Sequence, residues 1–365
     1  MTDSRASLLR ARRVIVKIGS SSLTVDDSAA SRLAQEVGSL IKKGYSFVIV
    51  TSGAIAIGCG RLGYRTRPKE MARLQAAAAA GQSVLMRRYD EAFASVGVTA
   101  AQVLLTHADL AERERANNVH QALSALMDAG AVPIINENDT VATDEIRFGD
   151  NDQLSAMVAP LVGADVVILL TDVEGVLDDK GKRIAVLRDD SAIGSVESRG
   201  VRMGTGGMSS KINAARKGAR SGANVVIASA RKSGTITQVL SGADVGTLVP
   251  VSAHALKARK HWIAYTLRPK GSVLLDTGAV TVLSKGKSSL LPVGVIGVRG
   301  DFHPGDAVSL VGPEGLEIGR GLSRLSSVDV ARCAGRKGES LEQLFGERAK
   351  ELVVVHKDDL VTDLL

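Results

Sequence analysis

Six runs of nearly unbroken aliphatic residues constrain this chain more than any other feature. They are Arg13-Val-Ile-Val-Lys-Ile18, Ser46-Phe-Val-Ile-Val-Thr51, Val98 to Thr106, Ala131-Val-Pro-Ile-Ile135, Asp165-Val-Val-Ile-Leu-Leu170 and Asn224-Val-Val-Ile-Ala228. Segments of helical length lie between them. Ala29 to Lys43 has helical periodicity and stops at Gly44. Pro68 to Ala80 and Gln82 to Val96 read as two helices broken at Gly81, and Ala111 to Ala129 as one long amphipathic helix ended by Gly130. Asp152 to Val162 and Gly206 to Ser221 complete the set. A strand that is apolar along its whole length must be buried on both faces. The pattern therefore predicts an α/β fold, a mostly parallel central sheet sandwiched by helices. Ligands of such sheets bind beyond the carboxyl ends of the strands. Polar clusters follow Ile18, Val50, Ile135 and Leu170, at those ends.

After Trp262 the texture changes. Short Val/Leu runs separated by glycines, such as Ser272-Val-Leu-Leu275, Gly294-Val-Ile-Gly-Val298, Ala307-Val-Ser-Leu-Val311 and Leu352-Val-Val-Val355, predict a small, mainly-β barrel. At roughly 150 residues per domain, a chain of 365 residues suits two domains. The expected boundaries are an N-terminal extension at 1–12, a first domain at 13–252, a linker at 253–270 and a second domain at 271–365. His254 to Lys270 holds Lys257, Arg259, Lys260, Arg268 and Lys270 with no acid. This is either a solvated linker or a polyanion contact. The net charge of +7 is otherwise spread along the chain. Cys59 and Cys333 lie far apart, which fits neither a disulfide framework nor a zinc site. The six histidines show no metal-ligand spacing, so none is assigned a role. The first residues carry no apolar core of signal-peptide length, and no run approaches the roughly 20 residues of a membrane span. A soluble protein of a reducing cytoplasm is expected.

The chemistry-bearing residues form six groups. Lys17 lies inside an apolar strand, where an ammonium is costly unless paired. Gly19 and Ser20 follow it and offer backbone N–H groups to an anion. Thr205-Gly-Gly-Met-Ser-Ser-Lys211 precedes a helix whose N-terminus favours anions, with Lys211 as a further charge. Asn136-Glu-Asn-Asp139 follows a strand, and Asp150-Asn-Asp152 opens a helix. Each acidic group could equally serve the helix dipole or a site. Thr171-Asp172, after the fifth strand, is equally open, and Thr51-Ser-Gly53 ends the second. Gly58-Cys-Gly60-Arg-Leu-Gly63 matches the dinucleotide fingerprint, but starts several residues past its strand and lacks an acid at the expected offset of about 20. Gly286-Lys287-Ser288 has only the tail of a Walker A loop. Lysines, glycine-rich turns and an acidic centre at strand and helix ends are what phosphoryl transfer asks for, since that chemistry is mostly positioning and charge neutralisation.

Taken in order, Val16-Lys-Ile-Gly-Ser20, Thr51-Ser-Gly-Ala54, Ile135-Asn-Glu-Asn-Asp139, Gly149-Asp-Asn-Asp-Gln-Leu-Ser-Ala156, Leu170-Thr-Asp172 and Gly204-Thr-Gly-Gly-Met-Ser-Ser-Lys211 resemble the amino acid kinase family. Within it they resemble the branch that phosphorylates L-glutamate. The resemblance covers nearly the whole chain after about residue 12, and the tail is similar to a PUA domain, an RNA-binding module in other proteins. Ser20 and Ser210 stand where threonine is common, and both keep a hydroxyl. The resemblance implies a transferase that moves the γ-phosphoryl group of ATP to the γ-carboxylate of L-glutamate, the first step of proline biosynthesis. It implies Lys17, Lys211 and Asp152 as catalytic residues. For ATP it implies Lys17, Gly19, Ser20, Thr171, Asp172, Thr205, Gly206, Gly207, Met208, Ser209, Ser210 and Lys211. For glutamate it implies Ser52, Asn136, Asp139 and Asn151. Mg²⁺ would bridge phosphate oxygens without a protein ligand. Proline would inhibit by feedback, a γ-glutamyl phosphate reductase would be functionally coupled, and the chain would form a homo-oligomer. Two other readings stay open: an amino acid kinase acting on another carboxylate or a nucleotide, and an RNA-binding or RNA-modifying protein led by its tail. Few aromatics in the tail, mainly Phe302 and Phe345, weaken the second.

Overall fold

The computed structural model describes residues 3–20, 28–142, 151–178, 180–188, 207–253, 255–286 and 288–362. The chain divides into two compact units, Met1–Ala255 and Leu256–Leu365.

In the first unit the six apolar runs form β1 (Arg13–Lys17), β2 (Ser46–Val50), β3 (Ala100–Leu105), β4 (Val132–Glu137), β5 (Val166–Thr171) and β6 (Asn224–Ser229). A short strand, β7 (Thr247–Val249), closes one edge, giving the order β3-β4-β2-β1-β5-β6-β7. The pairs from β3 through β6 are parallel, and β7 alone runs antiparallel. Alternate strand residues feed two separate cores. Val14, Val16, Phe47 and Ile49 face one core, while Ile15, Val48 and Val50 face the other. Helices cover both faces: α1 (Ala29–Ile41), α2 (Ala54–Arg61), α3 (Met71–Ala94), α4 (His107–Ala111), α5 (Arg113–Asp128), α6 (Asn151–Val162), α7 (Gly207–Arg220) and α8 (Thr235–Leu240).

The helix expected at 111–129 forms as α5, starting at Arg113: Thr106 and Asp109 form a capping box that starts the short α4, and extended backbone at Glu112 separates the two. One helix expectation needs correction: Gly81 does not break a helix, because α3 runs through it for 24 residues. Gly81 instead lets α2 cross α3 at close range. A Cβ there would sit 1.8 Å from Ala54 O, and one at Gly58 would sit 1.7 Å from Ala77 O. Two glycines of the fingerprint-like segment, Gly58 and Gly60, lie inside α2, and Gly58 is part of this crossing. Gly58→Ala or Gly81→Ala should therefore cost about 3 kcal/mol or more by overpacking. Gly60→Ala meets nothing within 4 Å. It should stabilise by up to about 1 kcal/mol through helix propensity. Thermal melting of the three variants checks the contrast.

The N-terminal extension is an integral part of this unit. Leu8 is fully buried, and the Arg5 guanidinium donates to Ala243 O, Val245 O, Ala185 O and Gly246 O at 2.8–3.1 Å.

The second unit has a five-stranded sheet of mixed sense. Its strands are β8 (Gly271–Leu275), β9 (Val295–Gly300), β10 (Ala307–Val311), β11 (Glu317–Ser323) and β12 (Val355–Thr362), in the order β12-β11-β10-β8-β9. Val273, Leu275, Phe302, Val308, Leu310 and Val355 are among its buried core. The expected linker 253–270 belongs mostly to this unit. Ile263 and Ala264 are buried beside Val361, and Arg259 pairs with Asp359 at 2.6 Å. Lys270 pairs with Asp306 at 2.8 Å. Three of its charges are held inside the unit, since Lys260 also donates to Lys357 O at 3.1 Å. Among the described residues, no helix is long and apolar enough to cross a membrane.

Candidate active site

A parallel sheet with helices on both faces brings its strand ends to one rim, and the polar residues gather there. Lys17 is the last residue of β1, and its neighbours along the strand are buried. An ammonium in that position needs an anion. Asp152, in the first turn of α6, supplies it: Lys17 Nζ lies 2.8 Å from Asp152 Oδ1. Lys211, in the first turns of α7, donates to Asp152 Oδ2 at 2.6 Å. The Lys17 and Asp152 side chains are 6% and 5% exposed, so one carboxylate binds two ammonium groups away from bulk water. Burial alone would push the Asp152 carboxyl up, but Lys17 and Lys211 together hold it below the usual carboxylate range. Asp152 therefore stays ionised at neutral pH. Its stabilisation is lost only as pH falls through that lowered value. The trio keeps one net positive charge, an excess suited to an anionic ligand. Gln153 ties α6 to α7 nearby, donating to Ser210 O at 3.3 Å and accepting from Lys217 Nζ at 2.6 Å.

A second cluster adjoins it through Asn151. Asn151 Nδ2 donates toward Ser52 Oγ at 3.0 Å, Asn136 Oδ1 at 2.9 Å and the Thr51 carbonyl. Four residues separated by up to 100 positions are thereby brought together. Ser52 is held where β2 ends. Thr51 N donates to Ile135 O at 2.8 Å, and Gly53 takes a left-handed φ of 114° to open α2. The Asn151 amide hydrogens are shared among these protein acceptors, and its carbonyl oxygen is buried with no partner among the described residues. What Asn151 has left to offer is an acceptor.

Asp139 follows β4 and is partly buried. Burial raises its carboxyl to about 6, with Arg67 pulling the other way. Thr171 ends β5, and its Oγ1 donates to Asp172 Oδ1 at 3.1 Å. Gly19 and Ser20 follow β1, and Gly207, Met208, Ser209 and Ser210 lead into Lys211 on α7. Asp150, Thr205 and Gly206 lie outside the described residues. Among the described residues no group of three or more His, Cys, Asp or Glu could hold a metal ion. With both Asp152 oxygens engaged by lysines, a divalent cation would fit here only as part of an anionic ligand.

Sequence reading missed one stripe of α3. Gln75, Gln82 and Tyr89 recur every seven residues and so share a helix face. Gln75 donates to Ala142 O at 3.2 Å, Gln82 accepts from Asn136 Nδ2 at 2.8 Å, and Tyr89 OH lies 2.8 Å from Thr51 Oγ1. Three polar heads at that spacing on an alanine-rich helix were the signal to find.

The amino acid kinase family matches residues 12–229, and the PUA domain matches residues 271–345. The glutamate 5-kinase of Chromohalobacter salexigens is 46% identical, with 98% of each chain covered. That of Trichlorobacter lovleyi is 44% identical over 98% of each chain. That of Pseudomonas putida is 42% identical over 98% of this chain and 99% of its own. A carbamate kinase from Giardia shares the fold, with a TM-score of 0.50 and 17% identity over 66% of this chain and 99% of its own. With one family matching more than half of the chain and relatives alike along almost all of it, the chain belongs to the amino acid kinase family, among the glutamate 5-kinases.

Proposed function

We propose that this protein transfers the γ-phosphoryl group of ATP to the γ-carboxylate of L-glutamate, giving L-glutamyl 5-phosphate, the first step of proline biosynthesis. The observation that carries this reading is Asp152 with a lysine on each carboxylate oxygen. Phosphoryl transfer spreads charge over the oxygens of the moving group and over both flanking oxygens. Lys17 and Lys211 neutralise that charge, and Asp152 keeps the two ammonium groups at fixed positions before the substrates arrive. Preorganised charge of this kind needs no rearrangement in the transition state. A carboxylate nucleophile is already ionised at pH 7, so no general base is required. Thr171, Asp172 and the Thr205–Lys211 segment border the nucleotide, with Gly19 and Ser20 beside its phosphates. Mg²⁺ carried in with ATP would supply further charge neutralisation beside Lys17 and Lys211. Ser52, Asn136, Asp139 and Asn151 hold glutamate. ATP-dependent hydroxamate formation with glutamate tests the reading, and absence of product would refute it.

The finer features belong to the same proposal: a cytoplasmic homo-oligomer, feedback inhibition by proline at a site overlapping that of glutamate, and supply of a γ-glutamyl phosphate reductase. The PUA unit modulates rather than catalyses, because every residue assigned above precedes Ala230. A chain ending near Ser252 should retain glutamate phosphorylation. A folded truncation without activity would overturn this division of labour. Retention on RNA of the full chain, absent from the truncation, would add RNA as a partner of the tail.

A further inference from the structure

We propose that Gln82 is a positioning residue for the acceptor substrate, acting through Asn136 on Asn151; this rests on the glutamate-phosphorylating function proposed above. Thr51 O is a backbone carbonyl and can only accept. The Asn151 atom against it must therefore be the amide nitrogen. The same nitrogen faces Asn136 at 2.9 Å, so Asn136 must present its carbonyl oxygen there. Asn136 then turns its own NH₂ the other way, where Gln82 Oε1 accepts it at 2.8 Å. Gln82 Nε2 in turn donates to Gln102 Oε1 at 3.0 Å. Every orientation in this relay follows from one main-chain carbonyl.

The relay ends, on the substrate side, at Asn151 Oδ1. That oxygen is buried, on a residue only 4% exposed, and has no partner among the described residues. Buried acceptors are seldom left unpaired, because desolvation without a hydrogen bond is costly. The donor it awaits is the α-ammonium of the amino acid substrate. Gln82 matters because Asn136 is 1% exposed and cannot turn to water for a partner. Without an acceptor at position 82, its NH₂ is stranded. Rotating the Asn136 amide to relieve that would set two NH₂ groups against each other and release Asn151 from its orientation. Gln82 itself is half-buried, and Gln102 is exposed, so the outer end of the relay can adapt.

The test compares Gln82→Met, which has no acceptor oxygen, with Gln82→Glu, which keeps one for Asn136. Gln102 can reverse its exposed amide to meet the glutamate. In steady-state assays Gln82→Met should raise the KM for glutamate about tenfold, the cost of a stranded buried donor. The KM for ATP and kcat should change little, as expected when a binding contact is lost equally from ground and transition states. Gln82→Glu should restore the KM for glutamate. Melting curves check that both variants fold as the parent does. An unchanged KM for glutamate in a folded Gln82→Met, a rise in both KM values, or a Gln82→Glu as impaired as Gln82→Met would each overturn the proposal. A parent enzyme that does not phosphorylate glutamate would overturn the underlying function as well, so the two failures are distinguishable.

Discussion

Lys17→Ala and Lys211→Ala should each lower kcat by about 10²–10³, the loss seen when one preorganised transition-state donor is removed. Both ammonium groups sit on one buried carboxylate, 2.8 and 2.6 Å away, so neither can swing across to replace the other without breaking its own ion pair. Removing either lysine also takes away the net positive charge of the trio, leaving a neutral lysine–Asp152 pair with less attraction for an anionic ligand. Asp152→Asn should lower kcat far more than it weakens ATP binding. An amide can accept from one lysine, but it turns an NH₂ toward the other and releases it. The two lysines would then still attract phosphate but no longer hold the spacing that the moving group requires, and about 1 Å of misplacement can cost around 100-fold. Single-turnover rates and ATP dissociation constants separate the two effects. Near-parental turnover in all three variants would sink the mechanism.

The acceptor should be selected by the groups that grip its α-carbon. Glutamate should be preferred over aspartate by about 100-fold, because a carboxylate one methylene shorter falls short of the phosphorus. N-acetylglutamate should be rejected too, having lost the ammonium for which the proposed function casts Asp139 and Asn151 Oδ1 as acceptors. Asp139→Ala should raise the KM for glutamate on the order of 10–100-fold, the range for a hydrogen bond to a charged group. The KM for ATP should stay nearly constant. A pH signature comes with this assignment. Burial raises the Asp139 carboxyl to about 6. The glutamate ammonium is charged throughout the acidic range, so binding requires the ionised carboxylate. The KM for glutamate should therefore rise as pH falls through about 6, and Asp139→Asn should abolish that dependence. In the unliganded protein the sign is reversed, since a raised carboxyl contributes stability that is lost as pH rises through the same value. Comparable kcat/KM for glutamate and N-acetylglutamate in a coupled ADP-release assay would place the specificity elsewhere.

Several of these residues were legible before any coordinates. Lys17 was conspicuous as a charge inside an apolar strand, and Asp152 as an acid at a helix start. Their grouping with Lys211 as catalytic residues came from the family resemblance, and the structure brings the three into one ion-pair cluster. Gln82 and Tyr89 were legible, with Gln75, only as polar heads sharing one face of an alanine-rich helix; what that face meets was not. Their partners, Asn136 and Thr51, are 54 and 38 residues away. Asn151 was legible as a site residue but not in its sense. Whether an amide offers a donor or an acceptor depends on which atoms surround it.

The sequence by itself determined the layered α/β architecture of the first unit and the rim on which the polar residues stand. Both follow from strand burial on two faces and from chain direction, properties carried by each segment and its immediate neighbours. Tertiary structure alone decided three things. Gly81 became a crossing point rather than a helix end, because Ala54 O lies where its side chain would be. The basic segment after residue 255 became part of the second unit, because Asp359 and Asp306 meet its charges. The amide of Asn151 took its polarity from a carbonyl 100 residues away. Each is a contact between segments distant in the chain, and local periodicity holds no record of which atoms such segments will present to one another.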